Sequence, residues 1–582
     1  MLKKRWKLAP QPTSDEIKAL RQAINASEPL AKLLLQRDIK DFETARKFFN
    51  PSTDQLHPPF LMKDMQRAVD RITKAIESGE NILVYGDYDV DGTTAVSLVY
   101  SFLSNQYDQV SYYIPDRYGE GYGISMKSVD YASDNDISLV IALDCGIKAV
   151  EQVKHAASQG IDFIICDHHL PGKELPAAHA ILNPLQEDCD YPYKGLSGCG
   201  IGFKLLQALL TAWDLEPALA FHYIDLVAVS TACDIVPMVG ENRVLTHFGL
   251  RRMEQSLRPG LQLIMENGGL CNEGRLKRML HTSDLVFVIG PRINAAGRMD
   301  HGSVAVDLLT AESLDSAKAA SEKIIQSNTD RRDIDLKTLD EALSMVKGNA
   351  PLEQAKTTVL FGEHWHKGVI GIVASRMQDH YYKPTIMLAE SDGVVTGSAR
   401  SVKGFDVHKA VEACSELLLS YGGHTNAAGL TMNRENVEAF QQKFEEVVAR
   451  DIDEAVLVPF VETHVEIGFD QIHDRFFQQV ERLEPYGPFN MRPVFMTKGC
   501  LDRGSTRRVG DGSHLKMDVF QESNPDQRMQ GIAFGFGEHY DRIANGESFD
   551  LAYSLEMNEF RGRKTLEMTV RDIRFSAEAS DS

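Results

Sequence analysis

Ile82-Leu83-Val84-Tyr85-Gly86-Asp87-Tyr88-Asp89-Val90-Asp91-Gly92 sets three carboxylates at alternate positions directly after an apolar run. A run of this kind that stops at a glycine reads as a buried strand with the acids at its carboxyl end. Acids this close repel one another unless positive charge sits among them, and a divalent cation meets that need. The pattern recurs twice. Leu139-Val140-Ile141-Ala142-Leu143 is followed by Asp144 and Gly146, and Phe163-Ile164-Ile165-Cys166 by Asp167-His168-His169. Helical patterns lie between, over Thr93–Ser104 and Lys148–Gln159. Alternating strands and helices predict an α/β fold with a parallel sheet and right-handed crossovers, whose site forms outside the carboxyl ends of the strands. The three clusters are therefore expected on one edge. Asp234 ends an apolar, helix-like stretch from Ile224 that Pro237 halts. An acid at the end of a buried helix needs a partner, which the same metal site offers.

A single Asp after a strand is more commonly a helix cap or turn residue, and a His-His pair is more commonly a surface feature. The joint pattern favours metal. Carboxylate and imidazole ligands suit Mn²⁺ or Mg²⁺ better than a thiolate metal. Several acids around one pocket suggest two ions, an arrangement that serves in-line hydrolysis of a phosphodiester.

These motifs resemble the DHH phosphoesterases, named for the element matched by Asp167-His168-His169. Further matches are Gly86 to Gly92, Asp144-Cys145-Gly146-Ile147, Asn183-Pro184, Asp234-Ile235-Val236-Pro237 and Gly422-Gly423-His424. The stretch Gly290-Pro291-Arg292-Ile293-Asn294-Ala295-Ala296-Gly297-Arg298 narrows the resemblance to the RecJ exonuclease family, over nearly the whole chain. The resemblance implies that Asp89, Asp91, Asp144, His168 and Asp234 are metal ligands, with Asp144 bridging. It places His169 on the scissile phosphate, with Asp87 and Asp167 beside it as catalytic residues. Many superfamily members carry a histidine where this chain has Tyr85, so Asp87 is a candidate for the missing ligand. The set among Asp87, Asp89 and Asp91 stays open. Substrate contacts are expected from Arg292, Asn294 and Arg298, from Arg376, Ser398, Arg400 and His424, and from Arg507 and Arg508.

The implied activity is 5′→3′ exonucleolytic release of 5′-mononucleotides from single-stranded DNA, in DNA repair and recombination. Single-strand-binding protein and a RecQ-type helicase are the partners the family implies. A phosphoesterase for short oligonucleotides or cyclic dinucleotides is disfavoured by the extra C-terminal region. A non-enzymatic binding protein is disfavoured by the intact acids and histidines.

At 582 residues the chain should hold several domains. The expected organisation is an N-terminal helical segment (1–55), a DHH catalytic domain (56–303), a connecting helix (304–350), a smaller α/β DHH-associated substrate-binding domain (351–450) and an OB-type barrel (455–582). The last is read from short alternating strands separated by Gly and Asn turns. Within 351–450, a helix begins at Lys367, and Gly397–Ser401 and Gly422–His424 read as glycine loops. The stretch 451–462 reads as a linker. The net charge of −21 is awkward for nucleic acid. Local patches offset it: 501–516 has a net charge of about +2 and 560–574 about +3, counted from their Lys, Arg, Asp and Glu. Eight cysteines without a Cys-x-x-Cys spacing predict reduced thiols and a cytoplasmic protein. Neither a secretory signal nor a membrane-spanning run is expected.

Overall fold

The computed structural model describes residues 2–391, 393–560 and 563–576, with Phe560 and Arg563 described by backbone alone. The run ending at Gly86 is β1 (Asn81–Gly86). It pairs with β2 (Val110–Tyr113) and β3 (Ile137–Leu143), and the sheet continues through β4 (Asp162–Cys166) to β5 (Ala180–Leu182). All pairs are parallel, in the order β2-β1-β3-β4-β5. Successive side chains enter two different cores. Ile82, Val84, Leu139, Ile141 and Ile164 pack on one face, and Leu83, Tyr85, Val140, Phe163 and Ile165 on the other. Burial on both faces explains why these strands are apolar throughout instead of alternating with polar residues. The strand order reverses direction between β1 and β3, where a crevice opens beyond the carboxyl ends. α1 (Val90–Ser104) leaves β1 through the acidic turn, and α2 (Gly198–Ala212) and α3 (Ile224–Cys233) cover it. α4 (Gly290–Met299) holds the family stretch that ends in Arg298.

The chain forms two compact units. One comprises 43–330 and 482–492, the other residues up to 42, 331–481 and from 493 onward. The second unit contains a five-stranded sheet of β6 (Thr358–Gly362), β7 (Thr385–Ser391), β8 (Val394–Arg400), β9 (Ser420–His424) and β10 (Ala427–Met432), in the order β9-β10-β8-β7-β6. It also contains the barrel strands β11 (Phe495–Asp502), β12 (Arg507–Val509), β13 (His514–Gln521), β14 (Asn524–Ala533), β15 (Phe549–Phe560) and β16 (Arg563–Phe575). Their order is β11-β15-β16-β14-β13-β12, and a further β11–β13 pairing closes the barrel as the OB reading requires.

Several expectations need correction. The N-terminal segment is not only helical: Arg5–Leu8 is a strand, paired in parallel with Phe460–Thr463, so 451–462 is not a free linker. The connecting helix is two helices, Ser303–Thr310 and the long α5 (Leu314–Val346). The helix expected from Lys367 starts at Ile370 and runs to Tyr381 (α6). Gly397–Arg400 and Gly422–His424 are strand, not loop. Gly397 is small because a Cβ there would meet Leu388 Cδ2 at 2.6 Å, which makes it a packing residue. The stretch 482–492, read as barrel, belongs to the first unit. Met238 N–H donates to the Pro488 carbonyl at 2.8 Å, and Arg243 Nη1 to the Glu484 carbonyl at 2.6 Å. Among the described residues no helix is long and apolar enough to cross a membrane.

Candidate metal centre

β1, β3 and β4 end at the same sheet edge and deliver Asp87, Asp144 and Asp167-His168-His169 to one place. Two glycines permit the crowding. A Cβ on Gly92 would lie 2.4 Å from the Asp87 carbonyl oxygen, and one on Gly198 would lie 2.5 Å from the Asp144 Cβ. Asp91 is fully buried in the first turn of α1. Its Oδ2 accepts from Gly198 N–H at 2.7 Å, and its Oδ1 from Cys199 N–H at 2.8 Å and Ser230 Oγ at 2.6 Å. Asp89 is the N-cap of α1, accepting from Asp91 N–H (2.9 Å) and Gly92 N–H (3.1 Å). For Asp89 the structure shows the cap; its carboxylate is not part of either preformed ligand group.

The centre of the cluster is His168 Nε2. It lies 3.1 Å from Asp144 Oδ1, 3.6 Å from Asp234 Oδ2 and 3.7 Å from Asp91 Oδ2. Asp87 Oδ1, Asp144 Oδ1, Asp234 Oδ2 and His168 Nε2 are buried without a hydrogen-bond partner. Orphaned acceptors of this kind are costly in a folded protein unless something fills the space between them. Two overlapping ligand groups are preformed, Asp91–His168–Asp234 and Asp144–His168–His169. The electrostatics agree. Burial, reinforced by Asp91 and Asp89, pushes the Asp234 carboxyl up to about 9. Burial and neighbouring carboxylates drive Asp144 and Asp87 well above the usual carboxylate range, and raise Asp89. Burial holds His168 below its ordinary value, in the neutral form a ligand needs. Hard oxygen donors with one or two imidazoles fit Mn²⁺ or Mg²⁺.

Asp167 stands apart from the ligand groups. Its Oδ1 accepts from His169 Nδ1 (2.7 Å) and His169 N–H (3.0 Å), and its Oδ2 from Ile147 N–H (2.9 Å). Burial disfavours charge on both partners, but their mutual hydrogen bond outweighs it, holding Asp167 low and His169 high. Tyr122, absent from the sequence-based set, brings its Oη within 3.1 Å of His169 Nε2 and 3.3 Å of the Asp144 carbonyl. Arg117, also missed, sits 4.7 Å over the Tyr88 ring and partly opposes the rise that burial gives the Asp87 carboxyl. The signal for both was Arg117-Tyr118-Gly119-Glu120-Gly121-Tyr122-Gly123, a glycine-rich loop after β2. Tyr85 faces away from the cluster and buttresses that loop, donating to the Gly123 carbonyl at 2.7 Å. Within α4, Asn294 Oδ1 accepts from Val90 N–H (2.9 Å), and Arg292 donates to Asn267 Oδ1 (2.9 Å) and the Val288 carbonyl (2.8 Å). Both side chains are engaged in shaping the acidic turn and its support. The Arg298 carbonyl accepts from Tyr118 Oη at 2.6 Å.

The second unit holds an arginine seated on hydroxyls. Arg400 Nε donates to Ser375 Oγ (3.1 Å), and its Nη1 to Ser398 Oγ (2.9 Å) and the Ala399 carbonyl (2.7 Å). Among the described residues no carboxylate pairs with this half-buried guanidinium, and burial pushes its value down. A cation held only by hydroxyls and a carbonyl retains charge for an anion. Gly371 keeps the approach open, since a Cβ there would meet Arg400 Nη2 at 2.9 Å and Ser398 Oγ at 3.0 Å. His424 is exposed on the edge strand β9. In the barrel, Arg507 is exposed, and Arg508 reaches Asp541 at 3.2 Å and lies over Tyr540. In the basic run 560–574, Arg574 pairs with Asp550 at 3.1 Å and covers Trp6, while Lys564 and Arg571 are exposed. Arg561 and the Arg563 side chain fall outside the described residues.

A parallel sheet with a carboxylate–imidazole cluster at its carboxyl edge defines a phosphoesterase of the metal-dependent kind. Family models match accordingly: the DHH family N-terminal domain over 81–231, the DHHA1 domain over 354–450 and the RecJ OB domain over 463–572. The chain is 34% identical over 578 residues to the single-stranded-DNA-specific exonuclease RecJ of Bacillus subtilis (strain 168), covering 99% of this chain and 71% of that one. It is also 34% identical over 533 residues to RecJ of Escherichia coli (strain K12), covering 88% and 90%. RecJ of Thermus thermophilus, solved with Mn²⁺ and separately with Mg²⁺, superposes with TM-scores of 0.81 and 0.75. Identity to the Mn²⁺ structure is 27%, covering 98% of this chain and 79% of that one. The chain belongs to the RecJ family of exonucleases.

Proposed function

We propose that this protein is a divalent-metal-dependent exonuclease that degrades single-stranded DNA from the 5′ end, releasing 5′-mononucleotides in DNA repair and recombination. The observation that carries the reading is the meeting of four orphaned buried polar atoms, on Asp87, Asp144, His168 and Asp234, at the carboxyl edge of the parallel sheet. The family relatives supply the substrate class, and the family resemblance supplies polarity and product. Asp87, Asp89, Asp91, Asp144, His168 and Asp234 would hold two Mn²⁺ or Mg²⁺ ions. When bound, these ions would supply charge neutralisation at the phosphodiester and lower the pKa of a water so that hydroxide is available as nucleophile.

The chain's own residues do the rest. Asp167 fixes the ring of His169 with Nδ1–H toward its carboxylate, leaving Nε2 facing Tyr122 and the pocket. With Nδ1 engaged by Asp167, Nε2 is the ring nitrogen left to donate to an oxygen of the scissile phosphate. Buried apolar walls from α1, α2 and α3 exclude bulk water behind the acids. Ser398 and Arg400 bind a phosphate of the strand, with His424 beside the same sheet edge. Arg298, Arg507 and Arg508 are further contacts. The eight free cysteines, seven of them buried, support a reducing, cytoplasmic setting. Single-strand-binding protein and a RecQ-type helicase are the partners this reading brings with it. The test is digestion of single- and double-stranded DNA labelled at either end, with and without Mn²⁺. Metal-dependent mononucleotide release from the 5′ end of single strands is the expected result. Degradation of duplex at equal rate, or release from the 3′ end, overturns it.

A further inference from the structure

α6 places two arginine environments side by side. Gly371 and Ser375 lie one turn apart on the face that meets Ser398 and Arg400. Arg376 is the next residue, rotated by about 100° around the helix. The buried flank of α6, Ile370, Val373, Ala374 and Met377, packs with Ala342 and Val346 of α5 in one core. Arg400, at Gly371 and Ser375, and Arg376 thus lie on neighbouring faces of the same helix.

Arg376 does not hang freely there. Its Nη2 lies 3.0 Å from Oδ2 of Asp335, a residue of α5 whose side chain is only 1% exposed, while Arg376 itself is 41% exposed. A carboxylate this buried anchors one end of the guanidinium by charge, while the arginine as a whole stays partly exposed. Arg331 sits one turn before Asp335 on the same helix. Burial lowers its value, Asp335 opposes that, and the charges of Arg332 and Arg376 add to it. Arg376 and Arg331 thus bring positive charge to this face of an otherwise acidic chain of net charge −21.

We infer that Asp335 is a positioning residue that aims Arg376, with Arg331 at its side, at a phosphodiester of the DNA strand adjacent to the phosphate held by Arg400. This rests on the nuclease reading above and adds to it a second phosphate contact and the residue that orients it. A single strand bound through its backbone needs consecutive cationic contacts in register, and side chains on the rigid α5–α6 pair supply them with less entropy loss than loop arginines do.

The test is a set of equilibrium titrations of Arg376→Gln, Asp335→Asn and the double variant with fluorescent oligothymidylate, in Ca²⁺ to suppress cutting, across a salt series. Arg376→Gln should weaken binding about tenfold, as for loss of a charge-assisted hydrogen bond, and flatten the log–log salt slope by about 0.7. Asp335→Asn decides the issue by its sign. It removes a negative charge, so general electrostatics predicts tighter binding, whereas a positioning role predicts binding about threefold or more weaker. In the Arg376→Gln background Asp335→Asn should then have no further effect. Tighter or unchanged binding by Asp335→Asn, or a further weakening of the same size in the double variant, overturns the inference. If Asp335→Asn does not fold by circular dichroism, the salt slope of Arg376→Gln decides alone, and an unchanged slope overturns it. Wild-type protein and Arg400→Gln run alongside separate the two readings. Absence of DNA binding by wild type sinks the nuclease reading itself, while a normal wild type and a weakened Arg400→Gln leave only Asp335 and Arg376 in question.

Discussion

Asp167 Oδ1 lies 2.7 Å from His169 Nδ1 and also accepts the backbone N–H of His169, so one carboxylate oxygen fixes both the ring and the chain of the residue two positions on. The other oxygen is held by Ile147 N–H, which removes Asp167 from the ligand groups and makes it the support of His169. Asp167→Asn should therefore leave Mn²⁺ binding intact and lower kcat roughly 10- to 100-fold, the range for loss of a residue that orients another. His169→Ala should cost at least as much, and the double variant little more than His169→Ala alone. Calorimetric Mn²⁺ titration beside steady-state turnover checks this. Loss of metal by Asp167→Asn would return it to the ligand set.

The cluster also predicts how the metal-free protein responds to pH. The Asp234 carboxyl rises from 3.8 to about 9 on folding, through burial and then Asp91 and Asp89. The native state thus holds more protons than the unfolded one between those values, and stability falls as pH rises through that window. In EDTA, the unfolding midpoint should drop from about pH 5 to pH 9. Asp144→Ala should flatten this dependence, abolish nuclease activity and raise the metal-free midpoint, because it removes one member of a repelling set. Added Mn²⁺ should raise the wild-type midpoint most at high pH. A metal-free midpoint that climbs from pH 5 to 9 would contradict the cluster's electrostatics.

Arg400 carries the opposite trade-off. Its half-buried guanidinium rests on two serines and a carbonyl without a carboxylate among the described residues. Arg400→Gln should raise KM for single-stranded DNA with Mn²⁺ affinity unchanged, and should raise the thermal midpoint slightly, since a partly desolvated charge with no carboxylate partner is removed. His424→Ala should share the kinetic effect without the gain in stability, its side chain being exposed. Loss of Mn²⁺ binding in either variant would mean that the second unit's role is not phosphate binding.

The metal cluster was legible in the sequence because its causes are local. Asp87, Asp144 and Asp167 each follow an apolar run, and the parallel sheet alone brings them together. Arg400 was singled out in the sequence as a residue suited to phosphate, but its place in a strand was not legible. Gly397 and Ser398 suggested a loop, although buried Val395 and Ala399 alternate with half-buried Thr396, Ser398 and Arg400 in a period of two. Tyr122 escaped notice because its place beside His169 depends on a loop buttressed by Tyr85 from another strand. The partnerships of Arg5–Leu8 with Phe460–Thr463, and of 482–492 with Met238 and Arg243, span hundreds of residues, and no periodicity encodes them.

The barrel makes the remaining prediction. Arg507 is exposed on β12 opposite Lys516, so the two project from neighbouring strands, and Arg508 lies over Tyr540 with its end shared with Asp541. OB-type barrels bind single strands through a cationic surface with aromatic faces, and this edge has both. Replacing Arg507 and Arg508 together by Glu should weaken binding of long single strands, most at low salt. Every phosphate left without its arginine should flatten the salt slope by about 0.7. Oligonucleotides of a few residues should be affected less than long ones, and Mn²⁺-dependent cutting of the short substrates should persist. Arg508→Ala alone should have the smaller effect, because Asp541 already offsets part of its charge. The competing account gives these arginines only a solvated face. On that account the double variant binds long and short DNA like the wild type with an unchanged slope, and that result would take the β12 edge out of the DNA path.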